Sequence, residues 1–259
     1  MATIGVFDSG VGGLSVLREI RHLLPSADLL YVADSGHAPY GERSAAFIAA
    51  RVDTIATFFH QAGVTAIVVA CNTASAVAAH SLRARFDLPV VAIEPAIKPA
   101  AQRTRSGVIG VLATPRTLRS PGIARLVDAH GRGVRVLMQA CPGWVEQVER
   151  GELGGERTEA MVARAIQPLL AQGADTLVLG CTHFPLLRDV IARLAGPNVE
   201  LIDPAPAVAR ELARRLADAP AGVGRVGTER FWTTGPIAQA RAVIPALWGR
   251  PAPILEWPA

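Results

Sequence analysis

The stretch IVVACNTASAVAAH, residues 67–80, contains the turn on which the fold prediction rests. Its first residues are branched and apolar and are typical of a buried β-strand, whereas the Ala-rich segment 74–80 is typical of a helix. Cys71, Asn72 and Thr73 stand between the two. The stretch therefore predicts a strand that passes directly into a helix, with a thiol, an amide and a hydroxyl grouped in the turn.

The chain repeats this turn in its second half. GVTAIVVACNTA, residues 63–74, returns as GADTLVLGCTHF, residues 173–184, which aligns Cys71 with Cys181 at an offset of 110 residues. Two further pairs lie in the same order at nearly the same offset: IGVFDS (4–9) with IGVLAT (109–114), and AIEPA (92–96) with LIDPA (201–205). A repeat of this length predicts two similar structural units, each built around its own cysteine.

Each unit alternates short apolar strands with helical stretches, which is typical of parallel α/β sheets covered by helices on both faces. The fold class predicted is therefore α/β, with two similar parallel-sheet domains related by a pseudo-two-fold axis. Residues 1–97 and 208–259 are predicted to form the first domain, and residues 98–207 the second. Because ligands of open parallel sheets bind beyond the carboxyl ends of the strands, we expect the active site in the cleft between the domains.

Composition restricts the class of protein. Of 259 residues, 50% are hydrophobic and 19% are charged, as expected of a globular chain. No apolar run approaches the roughly 20 residues of a membrane span, and the chain begins in the strand-like TIGVF, so we expect a cytoplasmic protein without membrane contact. The formal charge of +4 comes from arginines scattered among acidic residues, which predicts solvated helix faces and no nucleic-acid partner.

The sequence predicts no metal and no cofactor. The three cysteines lie far apart without CxxC spacing, so they are expected to be free thiols, and Cys141 is expected to be structural. Pyridoxal phosphate needs a lysine, and the single lysine, Lys98, precedes a proline in a predicted loop. The segment DSGVGGLS contains G-x-G, but Ser15 stands where the dinucleotide fingerprint has its third glycine. Its glycines are better explained by a flexible turn.

The two cysteines suit proton transfer. A thiol at a helix N-terminus meets unpaired N–H groups and the positive end of the helix dipole, which favours the thiolate at neutral pH. Equivalent thiols on either side of one small molecule could remove a proton from one face of a carbon and return one to the other. The alternative for either residue is a small buried hydrophobic side chain.

Six motifs of the chain resemble those of the cofactor-independent glutamate racemases of bacterial cell-wall synthesis. They are FDSGVGGLSVL (7–17), YVADSGHAPYG (31–41), ACNTAS (70–75), GVLATPRTLRS (110–120), LGCTHFPLL (179–187) and LIDPA (201–205). The resemblance extends over essentially the whole chain. It implies an isomerase that interconverts L- and D-glutamate without a cofactor. It further implies that this enzyme supplies D-glutamate for peptidoglycan synthesis, on which cell shape depends, and that it acts as a homodimer.

The resemblance also implies roles for individual residues. Cys71 and Cys181 would be the acid/base pair, with Asp8 assisting the first thiol and His183 and Glu149 the second. Glu146 stands where relatives often have a proline, close to Glu149. The substrate contacts implied are Asp8, Ser9, Tyr40, Gly41, Asn72, Thr73, Thr114, Thr117, Thr182 and His183.

Two other functions remain open at this point. One is racemisation of aspartate or another acidic amino acid. Aspartate is one methylene shorter than glutamate, and a sequence cannot predict the size of a pocket to that precision. The other is a two-lobed protein that closes on a small dicarboxylate without chemistry. The two thiols separate them: an enzyme needs both for turnover, whereas a binding protein needs neither.

Overall fold

The computed structural model describes residues 2–217 and 226–258. In these ranges the chain forms ten strands: β1 (Thr3–Asp8), β2 (Asp28–Ala33), β3 (Ala66–Val69), β4 (Val90–Ala92), β5 (Val108–Ala113), β6 (Arg135–Ala140), β7 (Thr176–Leu179), β8 (Glu200–Ile202), β9 (Glu229–Thr233) and β10 (Ile254–Glu256). β3 and β7 are buried along their whole length, because helices cover both faces of each sheet.

Eleven α-helices accompany the strands in the described ranges: α1 (Leu14–Leu23), α2 (Ala45–Gln61), α3 (Asn72–Arg85), α4 (Ile97–Arg103), α5 (Pro115–Leu118), α6 (Pro121–His130), α7 (Trp144–Glu149), α8 (Glu156–Leu170), α9 (Arg188–Ala195), α10 (Ala205–Arg215) and α11 (Ile237–Trp248). Short 3-10 helices span Ser35–His37, Tyr40–Glu42 and Phe184–Leu187. Among the helices that the structure describes, none has the length and apolar character needed to cross a membrane.

The strands form two separate sheets in which neighbouring strands run parallel. One has the order β10-β9-β2-β1-β3-β4, and the other has the order β6-β5-β7-β8. The run β2-β1-β3-β4 of the first sheet therefore has the same order as the whole second sheet. The predicted α/β class with two similar parallel sheets is confirmed, and the sequence repeats fall on equivalent strands.

The strand order explains where a ligand would bind. In each sheet the chain leaves a central strand, β1 or β5, toward one neighbour and later returns on its other side as β3 or β7. Loops diverge at such a switch point and leave a crevice beyond the carboxyl ends of the two strands. Asp8 and Cys71 stand at this crevice in the first sheet, and Thr114 and Cys181 stand at the equivalent place in the second.

The chain returns to the first sheet after completing the second. α10 packs against α1, and β9 pairs with β2 over the register Leu29↔Glu229 to Ala33↔Thr233. One hydrophobic cluster contains buried residues of both sheets, including Val6 of β1 and Leu112 of β5, and also Trp144 of α7. The division into domains 1–97 with 208–259 and 98–207 remains a prediction, and its residues 1, 218–225 and 259 lie outside the described residues.

Asp175 secures the connection between α4 and β5. Its carboxylate accepts hydrogen bonds from Thr104 Oγ1 at 2.6 Å and from the backbone N–H groups of Arg105 and Ser106, each at 2.8 Å. Partial burial would raise the pKa of Asp175, but these hydrogen bonds outweigh burial and lower the pKa to about 2.

We expect Asp175→Asn to destabilise the protein at neutral pH but not in strong acid. A carboxyl group whose pKa is lower in the folded chain than its ordinary 3.8 stabilises the fold above pH 3.8, and this contribution disappears as the pH falls toward 2. Denaturant unfolding of both proteins across this pH range checks the expectation. Asp128→Asn, on the exposed part of α6, is the control and should follow the wild-type curve. A stability difference independent of pH would contradict it.

Candidate active site

The two cysteines stand at equivalent strand ends but in different local structures. Cys71 follows β3 and caps α3, where its sulfur accepts from the N–H of Ala74 at 3.5 Å and lies 3.6 Å from Ser9 Oγ. Cys181 follows β7 and enters a turn that leads into the 3-10 helix Phe184–Leu187. Both thiols are buried. Only Cys71 therefore lies at the N-terminus of an α-helix, and the sequence-based expectation for Cys181 was wrong on this point.

The expected lowering of the Cys71 pKa is also wrong. Burial raises the pKa of this thiol to about 12, and the negative charge of nearby Asp8 adds to the rise. The N–H of Ala74 and the hydroxyl of Ser9 act in the opposite direction but are outweighed. In the free protein Cys71 is therefore a protonated thiol at neutral pH. The sequence indicated the helix N-terminus but not how deeply the thiol is buried.

Asp8 links the two cysteine loops. This carboxylate ends β1, is fully buried, and accepts hydrogen bonds from the N–H of Gly10 at 3.1 Å and from Thr182 Oγ1 at 3.0 Å. Thr182 adjoins Cys181, and Ser9 contacts Cys71. Burial raises the pKa of Asp8, and this effect exceeds the lowering by the nearby His183. One carboxyl group thus lies between the two thiols.

His183 is oriented by a second carboxylate. Its Nδ1 lies 3.8 Å from Cys181 Sγ and 3.9 Å from Asp8 Oδ2, while its Nε2 lies 2.7 Å from Glu149 Oε1. Burial alone would lower the pKa of His183, but its contacts with Cys181 and Glu149 and the charge of Asp8 outweigh burial and raise the pKa well above its usual value. His183 is therefore placed to exchange a proton with Cys181.

Glu149 joins the two sheets. It ends α7, the helix that follows β6 of the second sheet. Its carboxylate nevertheless accepts from the N–H of Val11 at 2.6 Å and from Ser35 Oγ at 2.9 Å, and these residues follow β1 and β2 of the first sheet. Gln239 Nε2 donates to its carbonyl oxygen at 2.9 Å. Of the two glutamates in this segment, only Glu149 contacts His183, although both line a cavity of about 220 Å³ beside α11.

The glycines of residues 10–13 permit close packing around these carboxylates. A Cβ on Gly10 would overlap the Glu149 carboxylate, one on Gly12 would overlap the His183 ring, and one on Gly13 would lie 2.6 Å from Asp8 Cβ. The sequence-based interpretation of a flexible turn missed this role. The glycines are required because the side chains of Glu149, His183 and Asp8 fill the space beside the loop.

Hydroxyl groups from both sheets meet beside Cys71. Thr73 Oγ1 lies 3.2 Å from both Thr114 Oγ1 and Thr117 Oγ1. The side-chain amide of Asn72 is buried, and neither its nitrogen nor its oxygen has a hydrogen-bond partner in the structure. Buried unpaired polar atoms cost free energy and are therefore expected to meet a ligand. A cavity of about 260 Å³ extends outward from Asn72 and Thr117 between α3 and α6.

The Tyr40–Gly41 turn reaches the site through its backbone. The hydroxyl of Tyr40 donates to Asp34 at 2.5 Å, so this hydroxyl already has its partner. Gly41 packs against Thr114, where an added Cβ would lie 3.1 Å from the Thr114 Cβ. Any contact of this turn with a substrate at the cleft would therefore use backbone groups.

Several residues of the site were not singled out from the sequence. Ser35 and the backbone of Val11 hold Glu149, and Ser15 donates to the carbonyl oxygen of Thr182 at 3.0 Å. Ser35 lies inside the motif YVADSGHAPYG, which was the available signal. The partners themselves are 114 to 167 residues apart in sequence, so local patterns could not pair them.

The site is a set of proton-transfer groups: two thiols, one imidazole and two carboxylates, surrounded by hydroxyls and an amide. Within residues 2–217 and 226–258 there is no group of three or more His, Cys, Asp and Glu side chains that could hold a metal ion. The arrangement can move protons to and from a small polar molecule.

Comparison with known proteins gives consistent matches. The sequence profile of the Asp/Glu/hydantoin racemases matches residues 4–212. A glutamate racemase from Pseudomonas aeruginosa is 51% identical over 252 residues, which cover 96% of this chain and 95% of that protein. The glutamate racemase isoform RacE1 of Bacillus anthracis superposes with a TM-score of 0.89 at 32% identity, covering 99% of this chain and 97% of that one.

A third relative was solved with bound ligands. The glutamate racemase of Escherichia coli, crystallised with L-glutamate and the activator UDP-MurNAc-Ala, has a TM-score of 0.88 at 37% identity, covering 98% of this chain and 97% of that one.

We expect the Cys71 thiol to make the protein less stable in alkaline solution. The unfolded thiol ionises near its ordinary value of 9.0, whereas the folded thiol keeps its proton to about pH 12. Between these values the free energy of unfolding should decrease by up to about 1.4 kcal/mol per pH unit from this group alone. Urea unfolding of the wild type and of Cys71→Ser from pH 8 upward measures the difference. If the free energies of unfolding of the two proteins changed in parallel above pH 9, the argument that burial raises the Cys71 pKa would be contradicted.

Proposed function

Because the chain belongs to the Asp/Glu/hydantoin racemase family, we propose that it interconverts L-glutamate and D-glutamate, with Cys71 and Cys181 as the two acid/base groups. One observation carries the proposal: two buried thiols, one following a strand of each sheet, are linked through Ser9, Asp8 and Thr182. The activity makes the protein an isomerase.

The surroundings of the two thiols support different roles for them in the free protein. Cys71, whose pKa is raised to about 12, would be the proton donor. Cys181 would be the base, with the His183 imidazole held 3.8 Å from its sulfur. In one direction Cys181 removes the α-proton and Cys71 returns a proton on the opposite face. In the other direction the two roles are exchanged, as microscopic reversibility requires.

The surroundings of the thiols suit a substrate with two carboxylates. An α-proton is a very weak acid, so the negative charge that develops on its removal must be stabilised by fixed dipoles in a site that excludes water. The Asn72 amide and the hydroxyls of Thr73, Thr114 and Thr117 are buried and come from both sheets. We propose that they bind the carboxylates, together with Thr182 and the backbone at Gly41.

Glutamate is favoured over the alternatives by the relatives. The P. aeruginosa protein, named glutamate racemase, matches almost the full chain at 51% identity, and the E. coli relative was crystallised with L-glutamate. A dicarboxylate-binding protein would not need two thiols and a histidine held among buried carboxylates. We also propose that the D-glutamate supplies peptidoglycan synthesis. The homodimer and the cytoplasmic location remain predictions.

The test is racemisation in heavy water. L-Glutamate incubated with the protein in deuterium oxide should give D-glutamate that carries deuterium at the α-carbon, while the remaining L-glutamate keeps its proton at low conversion. The reason is that the thiol that donates the new proton has exchanged with solvent and is not the group that took the old one. Mass spectrometry of the separated enantiomers measures both.

Controls distinguish the alternative functions. Cys71→Ser and Cys181→Ser should each retain glutamate binding and lose turnover in both directions, since the path in either direction uses both sulfurs. L-Aspartate should give much slower loss of optical rotation than L-glutamate. A product without deuterium would contradict the two-thiol mechanism, and wild-type turnover in either variant would contradict the assignment of that cysteine.

We expect Gly10→Ala to lower kcat by about tenfold or more. The added Cβ would displace the Glu149 carboxylate from His183, and small displacements of catalytic groups have large effects on rate. Gly154→Ala is the matched control, since a Cβ there meets no atom within 4 Å, and it should retain wild-type kcat. Thermal unfolding of both variants separates loss of rate from loss of fold. A folded Gly10→Ala enzyme with wild-type kcat would show that the contact is not needed.

A further inference from the structure

A buried ion pair lies behind the site, outside the residues assigned so far. Asp34 immediately follows β2 and is fully buried. Its two carboxylate oxygens accept from Arg51 Nε at 3.0 Å and Nη2 at 2.8 Å, so the arginine of α2 binds it with two parallel hydrogen bonds. The hydroxyls of Tyr40 and Thr234 also donate to it, at 2.5 and 2.9 Å, and His37 Nδ1 lies 3.0 Å from its Oδ1.

This arrangement fixes the segment 35–42 at its start and near its end. The N–H of Asp34 donates to the carbonyl oxygen of Asp8 at 3.0 Å, which ties the start of the segment to the end of β1. Tyr40 ties the other end to the Asp34 carboxylate. A carboxylate held by both nitrogens of a planar guanidinium has a defined orientation, and lysine cannot reproduce this geometry.

The same segment supplies two contacts to the other sheet. At its start, Ser35 Oγ donates to Glu149 Oε2 at 2.9 Å, and Glu149 in turn orients His183 beside Cys181. Near its end, Gly41 packs against Thr114, a member of the hydroxyl cluster beside Cys71. The segment therefore touches the surroundings of both thiols, although Arg51 itself lies on α2 and contacts neither.

We propose that Arg51 is a positioning residue of the active site: through Asp34 it fixes the segment 35–42, and with it the places of Glu149 and Thr114. This inference rests on the proposed function, because it concerns the same reaction. A shift of Ser35 loosens the Glu149–His183 pair and reduces kcat, whereas a shift of Gly41 loosens the substrate-binding turn and raises KM.

The decisive variant is Arg51→Lys, which keeps a positive charge beside the buried carboxylate and so preserves the fold, but cannot make the two-nitrogen contact. We expect kcat/KM to fall about tenfold to about a hundredfold, with KM raised and kcat lowered, at nearly unchanged melting temperature. Because the enantiomers have equal free energy, kcat/KM must fall equally in both directions, which checks the kinetics internally. Arg51→Gln should lose more activity and also stability, since it removes the guanidinium charge from the buried Asp34.

Arg85→Gln is the matched control. Arg85 on α3 pairs with Asp53, which like Arg51 lies on α2, but this pair is exposed and lies away from the segment 35–42. The Arg85→Gln protein should have wild-type activity. Ser35→Ala supplies a second measurement: the losses in kcat of Arg51→Lys and Ser35→Ala should be less than additive, because both act through Glu149, whereas Arg85→Gln and Ser35→Ala should be additive.

Wild-type kcat and KM in a folded Arg51→Lys protein would overturn the proposal, and so would strictly additive effects with Ser35→Ala. A loss of activity that only follows a lowered melting temperature would show a structural role and overturn it as well. These outcomes require an active wild-type racemase. A wild-type protein without racemase activity would instead refute the proposed function.

Discussion

The structure depends on the hydrogen bonds that its buried carboxylates accept. Glu149 extends from α7 across the boundary between the sheets, and its two oxygens accept from Val11, Ser35 and His183, with each distance below 3 Å. A buried carboxylate without such partners would cost several kcal/mol. The two sheets are therefore held together at this point, and the orientation of the His183 imidazole follows from that contact.

The topology explains why residues so distant in sequence meet. Parallel strands place all their carboxyl ends at one edge, and the strand order puts a crevice at the same point of each sheet. Asp8, Cys71, Thr114 and Cys181 need only lie at the ends of their strands, or within two residues of them, in order to meet at that edge. The sequence therefore needs few features to place these residues: each buried strand must have a polar residue at or just beyond its end, at equivalent positions of the two sheets.

The sequence predicted the parts of the molecule that depend on local pattern and repetition. Alternating strands and helices and the repeat that aligns Cys71 with Cys181 sufficed for the α/β class with two similar sheets, and the structure confirms it. Burial and long-range packing could not be predicted in the same way. Nothing near Cys71 in sequence indicates the Asp8 charge and the depth that raise its pKa, and nothing near Gly10 indicates a glutamate 139 residues away. The bond from Arg51 to Asp34 likewise appears only when α2 is packed against the end of β2.

The return of the chain to its first sheet has a consequence for synthesis on the ribosome. β2 pairs on one side with β9, about 200 residues later, whereas every strand of the second sheet lies within residues 108–202. The second sheet can be complete while the outer edge of β2 still lacks its neighbour. An apolar strand with unpaired backbone groups attracts other chains, so the nascent protein is most prone to aggregate until β9 emerges and pairs with β2. Chaperones would be needed most during that interval.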